Sequence, residues 1–318
     1  MPRLTSLPLA AAQDIGKKFG LDLVRVDAVD LGALNSEFML RTRDQDAFIA
    51  SVHETRSLDE AREALELVEW LVDQGVPTVR TERLVSGALV ASFEGKPVSL
   101  YQYPSGQMSC QMSVTQERCH EVGAALAGLH CVPTVGRKLA PSKFDIPYLQ
   151  ARLTDVDSLN RFELNSAVAR LRTGLGRLEL LRAAQLPEGI IHGELTRSSV
   201  IWQGDRISAL ICFEAAGRGR FAYDLMGTML NWCYQDRFDQ GLIDALFAGY
   251  QSVRRLTPEE VAALPEEAAI AALRFACTRL GDFSVRVPLG VQPARDYRRF
   301  LERLTALQSG VVELLDQS

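Results

Sequence analysis

Residues 190–214 constrain the fold of this chain more than any other stretch. A short apolar run, Gly189 to Ile191, ends in a polar loop, His192-Gly193-Glu194-Leu195-Thr196-Arg197-Ser198-Ser199. A β-branched and aromatic run follows, Val200-Ile201-Trp202, then a tight polar turn, Gln203-Gly204-Asp205-Arg206, and a second apolar run, Ile207 to Phe213. The pattern predicts a loop feeding a β-hairpin. Such a unit can set two polar groups face to face, one near Glu194 and Ser199, the other near Cys212 and Glu214.

The rest of the chain changes character part-way along. Alternation from Leu21 to Asp30 predicts a strand, then a turn at Leu31–Glu37, then strands at Phe38–Thr42 and Ala47–Val52. Leu65, Val68, Leu71 and Val72 share one face of a helix over Leu58–Gln74, which Gly75 stops. Further strands are expected at Pro77–Glu82, Leu89–Phe93 and Val98–Tyr101. From Val114 onward helical periodicity dominates. Helices are expected around Val122–Leu129, within Pro141–Arg182, and over Asp224–Cys233, Leu242–Val253, Pro258–Leu280 and Asp296–Leu315. A strand-rich front and a helical back, in a chain of 318 residues, predict an α+β protein of two lobes. The expected division is 1–103, with the linking hinge, and 104–318.

Composition limits the function classes. The net charge of −5 gives no general attraction to nucleic acid or to an anionic membrane. No run reaches the roughly 18 apolar residues that a span requires. Residues 1–20 lack a secretory pattern. The six cysteines show no Cys-x-x-Cys spacing, which suits reduced thiols and a cytoplasmic location. Cys119-His120 and His130-Cys131 share a helix face but would lie ~16 Å apart, too far for one ion.

The central stretch resembles the catalytic and metal-binding segment of the bacterial homoserine kinases of the aminoglycoside phosphotransferase superfamily. Their pattern, His-Ala-Asp-Leu-(x)3-Asn-Val-Leu-Phe, a turn, then Leu-Ile-Asp-Phe, aligns here without a gap. Gly32-(x)2-Asn35-Ser-Glu-Phe is similar to their nucleotide loop. Gly95-Lys-Pro-Val-Ser-Leu-Tyr101-Gln102-Tyr-Pro is similar to the lobe-linking hinge. Glu121–His130, Ala222-Tyr-Asp224-Leu, Asn231-Trp232-Cys233 and Leu273-Arg-Phe-(x)3-Arg279-Leu are similar to their helices. The resemblance implies a two-lobed protein-kinase-like fold, with a small β-rich lobe and a larger helical one. It also implies ATP and Mg²⁺ as cofactors, a small amino-acid-like substrate, and no nucleic-acid or membrane partner.

The resemblance carries over residue by residue, with departures. Glu194 stands at the catalytic base position, normally Asp. Ser199 and Cys212 stand at the two metal-ligand positions, normally Asn and Asp. Glu214, two residues on, would share a face with residue 212 in an extended strand and so could supply the missing carboxylate. Gly32, Asn35, Ser51, Tyr101 and Gln102 fall at nucleotide-binding positions, Ser51 on the strand that often carries a phosphate-pairing lysine. His192 and Asp224 match scaffold positions. Glu66 lies where an ion-pair carboxylate would.

Phosphoryl transfer is mostly positioning and charge neutralisation. A carboxylate misplaced by about 1 Å costs ~100-fold, and magnesium prefers hard oxygen donors over a soft thiol. Three readings follow: a degenerate homoserine-kinase-like protein that binds a ligand or partner, an active small-molecule kinase with a rewired metal site, and an interaction module built on the helical lobe.

Overall fold

The computed structural model describes residues 5–29, 35–181, 185–282, 284–286, 295–310 and 314. Gly32, of the expected nucleotide loop, lies outside them. In chain order the elements begin with α1 (Leu9–Lys18), β1 (Leu23–Val29), β2 (Ser36–Thr42), β3 (Ala47–Val52) and α2 (Leu58–Asp73). Next come β4 (Ala91–Phe93), β5 (Lys96–Gln102), β6 (Gln107–Met108), α3 (Gln116–His130), α4 (Ile146–Ser158) and α5 (Asn165–Leu181). The central stretch supplies β7 (Glu188–Ile191), β8 (Val200–Gln203) and β9 (Arg206–Leu210). The chain continues through β10 (Gly217–Arg220), α6 (Phe221–Trp232), α7 (Gln240–Val253), α8 (Pro258–Asp282) and α9 (Arg298–Gln308).

Two compact units emerge. One holds the chain up to Ser109 together with Ser198–Glu214; the other holds Cys110–Arg197 and everything from Ala215 onward. The first contains an antiparallel five-stranded sheet, β1-β2-β3-β5-β4, and a smaller sheet, β6-β8-β9. Its core packs α1 against the large sheet through Ile15, Leu23, Phe38, Leu40, Val52 and Leu100. The β4–β5 turn is two residues, Glu94 and Gly95, both at positive φ, the geometry that matches strand twist. Helix α2 starts on a reciprocal capping box between Ser57 and Glu60. The expected strand at Pro77–Glu82 is reduced to bridges at Thr78 and Thr81. The second strand of the hairpin ends at Leu210, three residues before the apolar run does.

The second unit is helical, with β7 and β10 paired antiparallel. Helices α3 and α7 pack at backbone distance. A Cβ on Gly123 would meet the Leu246 carbonyl oxygen at 2.1 Å, and one on Gly249 would meet that of His120 at 1.9 Å. Only glycine fits at either place. Among the described residues, no helix is long and apolar enough to cross a membrane.

Gly249→Ala is expected to destabilise the fold by about 1–3 kcal/mol through overpacking. Gly176→Ala on α5, where a Cβ meets nothing within 4 Å, is expected to be neutral or stabilising by about 0.5–1 kcal/mol. Urea unfolding of the two variants checks the contrast.

Candidate active site

In the helical unit, the loop after β7 is pinned by one buried carboxylate. Asp224, on α6, accepts the backbone N–H of His192 at 2.7 Å and that of Gly193 at 2.8 Å. His130 Nε2 lies 3.1 Å from the same carboxylate, and its Nδ1 lies 2.8 Å from the Tyr250 hydroxyl. Burial lowers the His130 pKa below the ordinary 6.5, against the pull of Asp224. The ring is therefore neutral near pH 7, with Nε2–H donating to Asp224 and Nδ1 accepting from Tyr250. Burial alone would raise the Asp224 carboxyl, but the bonds from His130 and the His192 N–H hold it below its ordinary 3.8. Arg254 continues the chain, donating to Tyr250 at 3.1 Å and pairing with Glu260. Gly193 takes φ +76°, and a Cβ there would meet the Ala215 carbonyl oxygen at 2.6 Å. Trp232 is fully buried and donates to the Leu195 carbonyl at 3.1 Å, whereas Asn231 bonds back to Gly227 in its own helix. Both are structural residues in this arrangement.

Glu194, which the resemblance sets at the base position, reaches the guanidinium of Arg274 at 3.2 Å. Arg274 is fully buried on α8. Its guanidinium carbon lies 3.7 Å from the Phe144 ring centre and 4.2 Å from that of Phe275. Phe275 stacks on Phe300 at 4.6 Å, and Phe300 in turn carries both Arg279 and Arg303, at 4.4 and 4.3 Å. Burial, and then Arg303, push Arg279 down to about 9; burial, and then Arg197, push Arg303 down to about 10. Both stay charged at neutral pH.

In the strand-rich unit a second set of polar groups gathers. Asn35 Nδ2 donates to Glu214 Oε1 at 3.3 Å, and Ser51 donates to Glu37 Oε2 at 2.7 Å across the β2–β3 pair. Burial, and then the charge of Glu214, push the Glu37 carboxyl up to about 8. Burial and the neighbouring Glu37, Cys212 and Glu214 raise the Tyr101 hydroxyl well above its usual range. Gln102 is exposed at the end of β5, paired with Phe48. Glu66 is exposed and meets Arg62 rather than a strand lysine. A cavity of ≈ 60 Å³ is lined by Ser51, His53, Ser99, Tyr101, Cys212 and Glu214, among others. It admits a few waters and is far below the roughly 300 Å³ of a ligand pocket.

The metal positions in this unit depart from the sequence argument. Because β9 stops at Leu210, residues 212–214 are not extended. Cys212 takes φ +67°, and Phe213–Ala215 form a 3-10 turn. The expectation that positions 212 and 214 share a strand face is therefore corrected: Glu214 turns to Asn35, and its carbonyl accepts Arg56 at 2.7 Å. Cys212 packs beside Ile201, Ala209 and Ile211. Ser199 is buried, and its carbonyl accepts the Ile211 N–H at 2.9 Å. Among the described residues, no three His, Cys, Asp or Glu side chains gather so as to hold a metal. A thiol in apolar company and a buried hydroxyl do not fit magnesium.

Sequence reasoning passed over Glu37, Arg303 and the pairing role of Arg274. A signal for Arg274 was present: it is the sole charge in the apolar helical run Ala268–Cys277. Glu37 had only its register opposite Ser51 to reveal it.

A β-sheet unit followed by a helical one, with a loop braced by a buried aspartate, defines a two-lobed protein-kinase-like phosphotransferase fold. Residues 25–256 match the APH phosphotransferase enzyme family, and the chain belongs to it. It is 35% identical over 287 residues to the homoserine kinase of Methylobacterium radiotolerans, covering 86% of this chain and 85% of that protein. The homoserine kinase of Rhizobium meliloti is 29% identical, covering 92% and 89%. Among solved structures, the amicoumacin kinase hAmiN in complex with AMP-PNP, Ca²⁺ and Ami superposes with a TM-score of 0.65 at 13% identity, covering 94% of this chain and 92% of that one. The microcompartment-associated aminopropanol kinase gives 0.64 at 16% identity, covering 95% and 94%.

The buried brace predicts an acid limb. The unfolded chain takes up a proton on His130 below pH ~6.5, which the folded ring resists, so stability present above that pH is lost as pH falls through it. Asp224, lowered in the fold, adds a second loss below its ordinary 3.8. His130→Gln is expected to cost about 1–3 kcal/mol at pH 7.5 and to flatten the first limb. Urea unfolding between pH 4 and 8 measures both.

Proposed function

We propose that this chain is a catalytically degenerate member of the homoserine-kinase-like phosphotransferases, acting by binding a small molecule rather than by efficient phosphoryl transfer. The observation that carries the reading is Cys212, a half-buried thiol packed on one side against Ile201, Ala209 and Ile211, where the family holds a cation with aspartate. Glu194 supports it, since its carboxylate is paired with the buried Arg274. The extra methylene of glutamate also moves the oxygen from the aspartate's place. By family likeness, nucleotide and an amino-acid-like molecule are the ligands to test first.

The triple reversion Glu194→Asp, Ser199→Asn, Cys212→Asp is expected to phosphorylate homoserine with ATP and Mg²⁺ at least ~100-fold faster than the natural chain. Equal turnover by the two, with the natural activity abolished in Glu194→Ala, overturns the reading.

A second reading, an active kinase with a relocated cation, is favoured by one observation: Glu37 and Glu214 are close enough that the charge of Glu214 adds to burial in raising the Glu37 carboxyl to about 8. A raised carboxyl contributes stability that is present below its ordinary 4.5 and is lost as pH rises through about 8. A divalent cation between the pair would offset that loss. On this reading, Mn²⁺ raises the melting temperature more at pH 8.5 than at pH 6, and Glu214→Gln removes the effect. The absence of any such shift ends it.

A further inference from the structure

Two arginines of the helical unit are buried with part of their donor set unmatched. Arg274 is 0% exposed and Arg303 6% exposed. Among the described residues, Nε and Nη1 of Arg274 donate no hydrogen bond, its Nη2 being ion-paired with Glu194 at 3.2 Å, and Nε and Nη1 of Arg303 donate none either. Arg197 Nη1 is in the same condition. Arg279 has a bond to the Asp296 carbonyl at 3.3 Å. Buried charged donors left unmatched are rare, because each has given up water without replacement.

The four side chains form one group. Arg279 and Arg303 share the Phe300 ring, Arg197 lies close enough to Arg303 to depress its pKa, and Glu194 acts on both Arg274 and Arg279. Phenylalanine and tyrosine rings lie over guanidinium groups here: Phe144 and Phe275 at Arg274, Phe300 at Arg279 and Arg303, and Tyr234 at Arg303. Cations covered on their faces offer their edges, where the N–H groups point. Edge-on N–H pairs match the oxygens of carboxylate and phosphate.

The charges decide the class of ligand. Glu194 offsets one of the four arginines. Arg295 and Arg299 add to the positive field on Arg279, and Glu302 opposes it at Arg303. The four arginines less Glu194 leave about three positive charges, so a doubly charged anion offsets more of the excess than a singly charged one.

We infer that Arg197, Arg274, Arg279 and Arg303 form a binding site for a small dianion, its two charged ends or its doubly charged group carried as a phosphomonoester or a dicarboxylate. The site is independent of whether the chain transfers phosphate. It selects against a zwitterion such as homoserine, whose ammonium would face like charge.

Calorimetry on the full chain tests it, with inorganic phosphate, succinate, homoserine and acetate, each at constant ionic strength set by chloride. Phosphate, succinate or both are expected to bind saturably and about tenfold or more tighter than homoserine or acetate. Phosphate alone points to a phosphomonoester, succinate alone to a dicarboxylate. Arg303→Met and Arg279→Gln are each expected to weaken the preferred anion about tenfold or more. Without ligand, Arg303→Met is expected to melt at or above the natural temperature, since it removes a buried charge whose Nε and Nη1 donate no hydrogen bond. If Arg303→Met fails to fold, Arg279→Gln decides. The inference is overturned if neither dianion binds below about 10 mM, if homoserine binds as tightly as the dianions, or if the folded variants bind as the natural chain does.

Discussion

A single carboxylate, that of Asp224, holds the loop from which any chemistry in this protein would have to start. Two consecutive backbone N–H groups converge on it from His192 and Gly193, and a neutral histidine donates from the other side. The arrangement is costly to assemble, because a buried ionised carboxyl needs several donors at once. It repays that by fixing the backbone ahead of residue 194 independently of the side chain there. The His130 end is anchored through Tyr250 to Arg254, so helices α3, α6, α7 and α8 all contribute to the position of one loop. The frame therefore does not depend on which side chain stands at position 194.

Much of the fold was legible because periodicity and turn residues agreed. The helices α2, α3, α7 and α8 follow apolar stripes, and the β8–β9 hairpin follows the Gly204-Asp205 turn. The failures have specific causes. The run Ile207–Phe213 reads as one strand, but the backbone leaves extended geometry at Cys212, which takes a left-handed φ that a non-glycine residue seldom adopts. Pro77–Glu82 has strand composition but finds only isolated bridges, at Leu210 and Tyr101. Strand propensity does not say whether a partner edge is within reach.

The site was legible in frame and not in contacts. The resemblance around His192 suggested scaffold roles for His192 and Asp224, and the Asp224 carboxylate does accept the His192 N–H. The pairing of Glu194 with Arg274 joins residues eighty positions apart, and that of Asn35 with Glu214 joins residues 179 apart. No local pattern encodes such meetings.

The column of rings running from Phe144 through Phe275 to Phe300 has a consequence for recognition. A long, flexible side chain normally forfeits rotational freedom when it closes on a guest. Here the stacking has already taken that freedom from Arg274, Arg279 and Arg303. Such a receptor is rigid before its guest arrives, so it distinguishes guests by the spacing of their oxygens and tolerates little variation in shape.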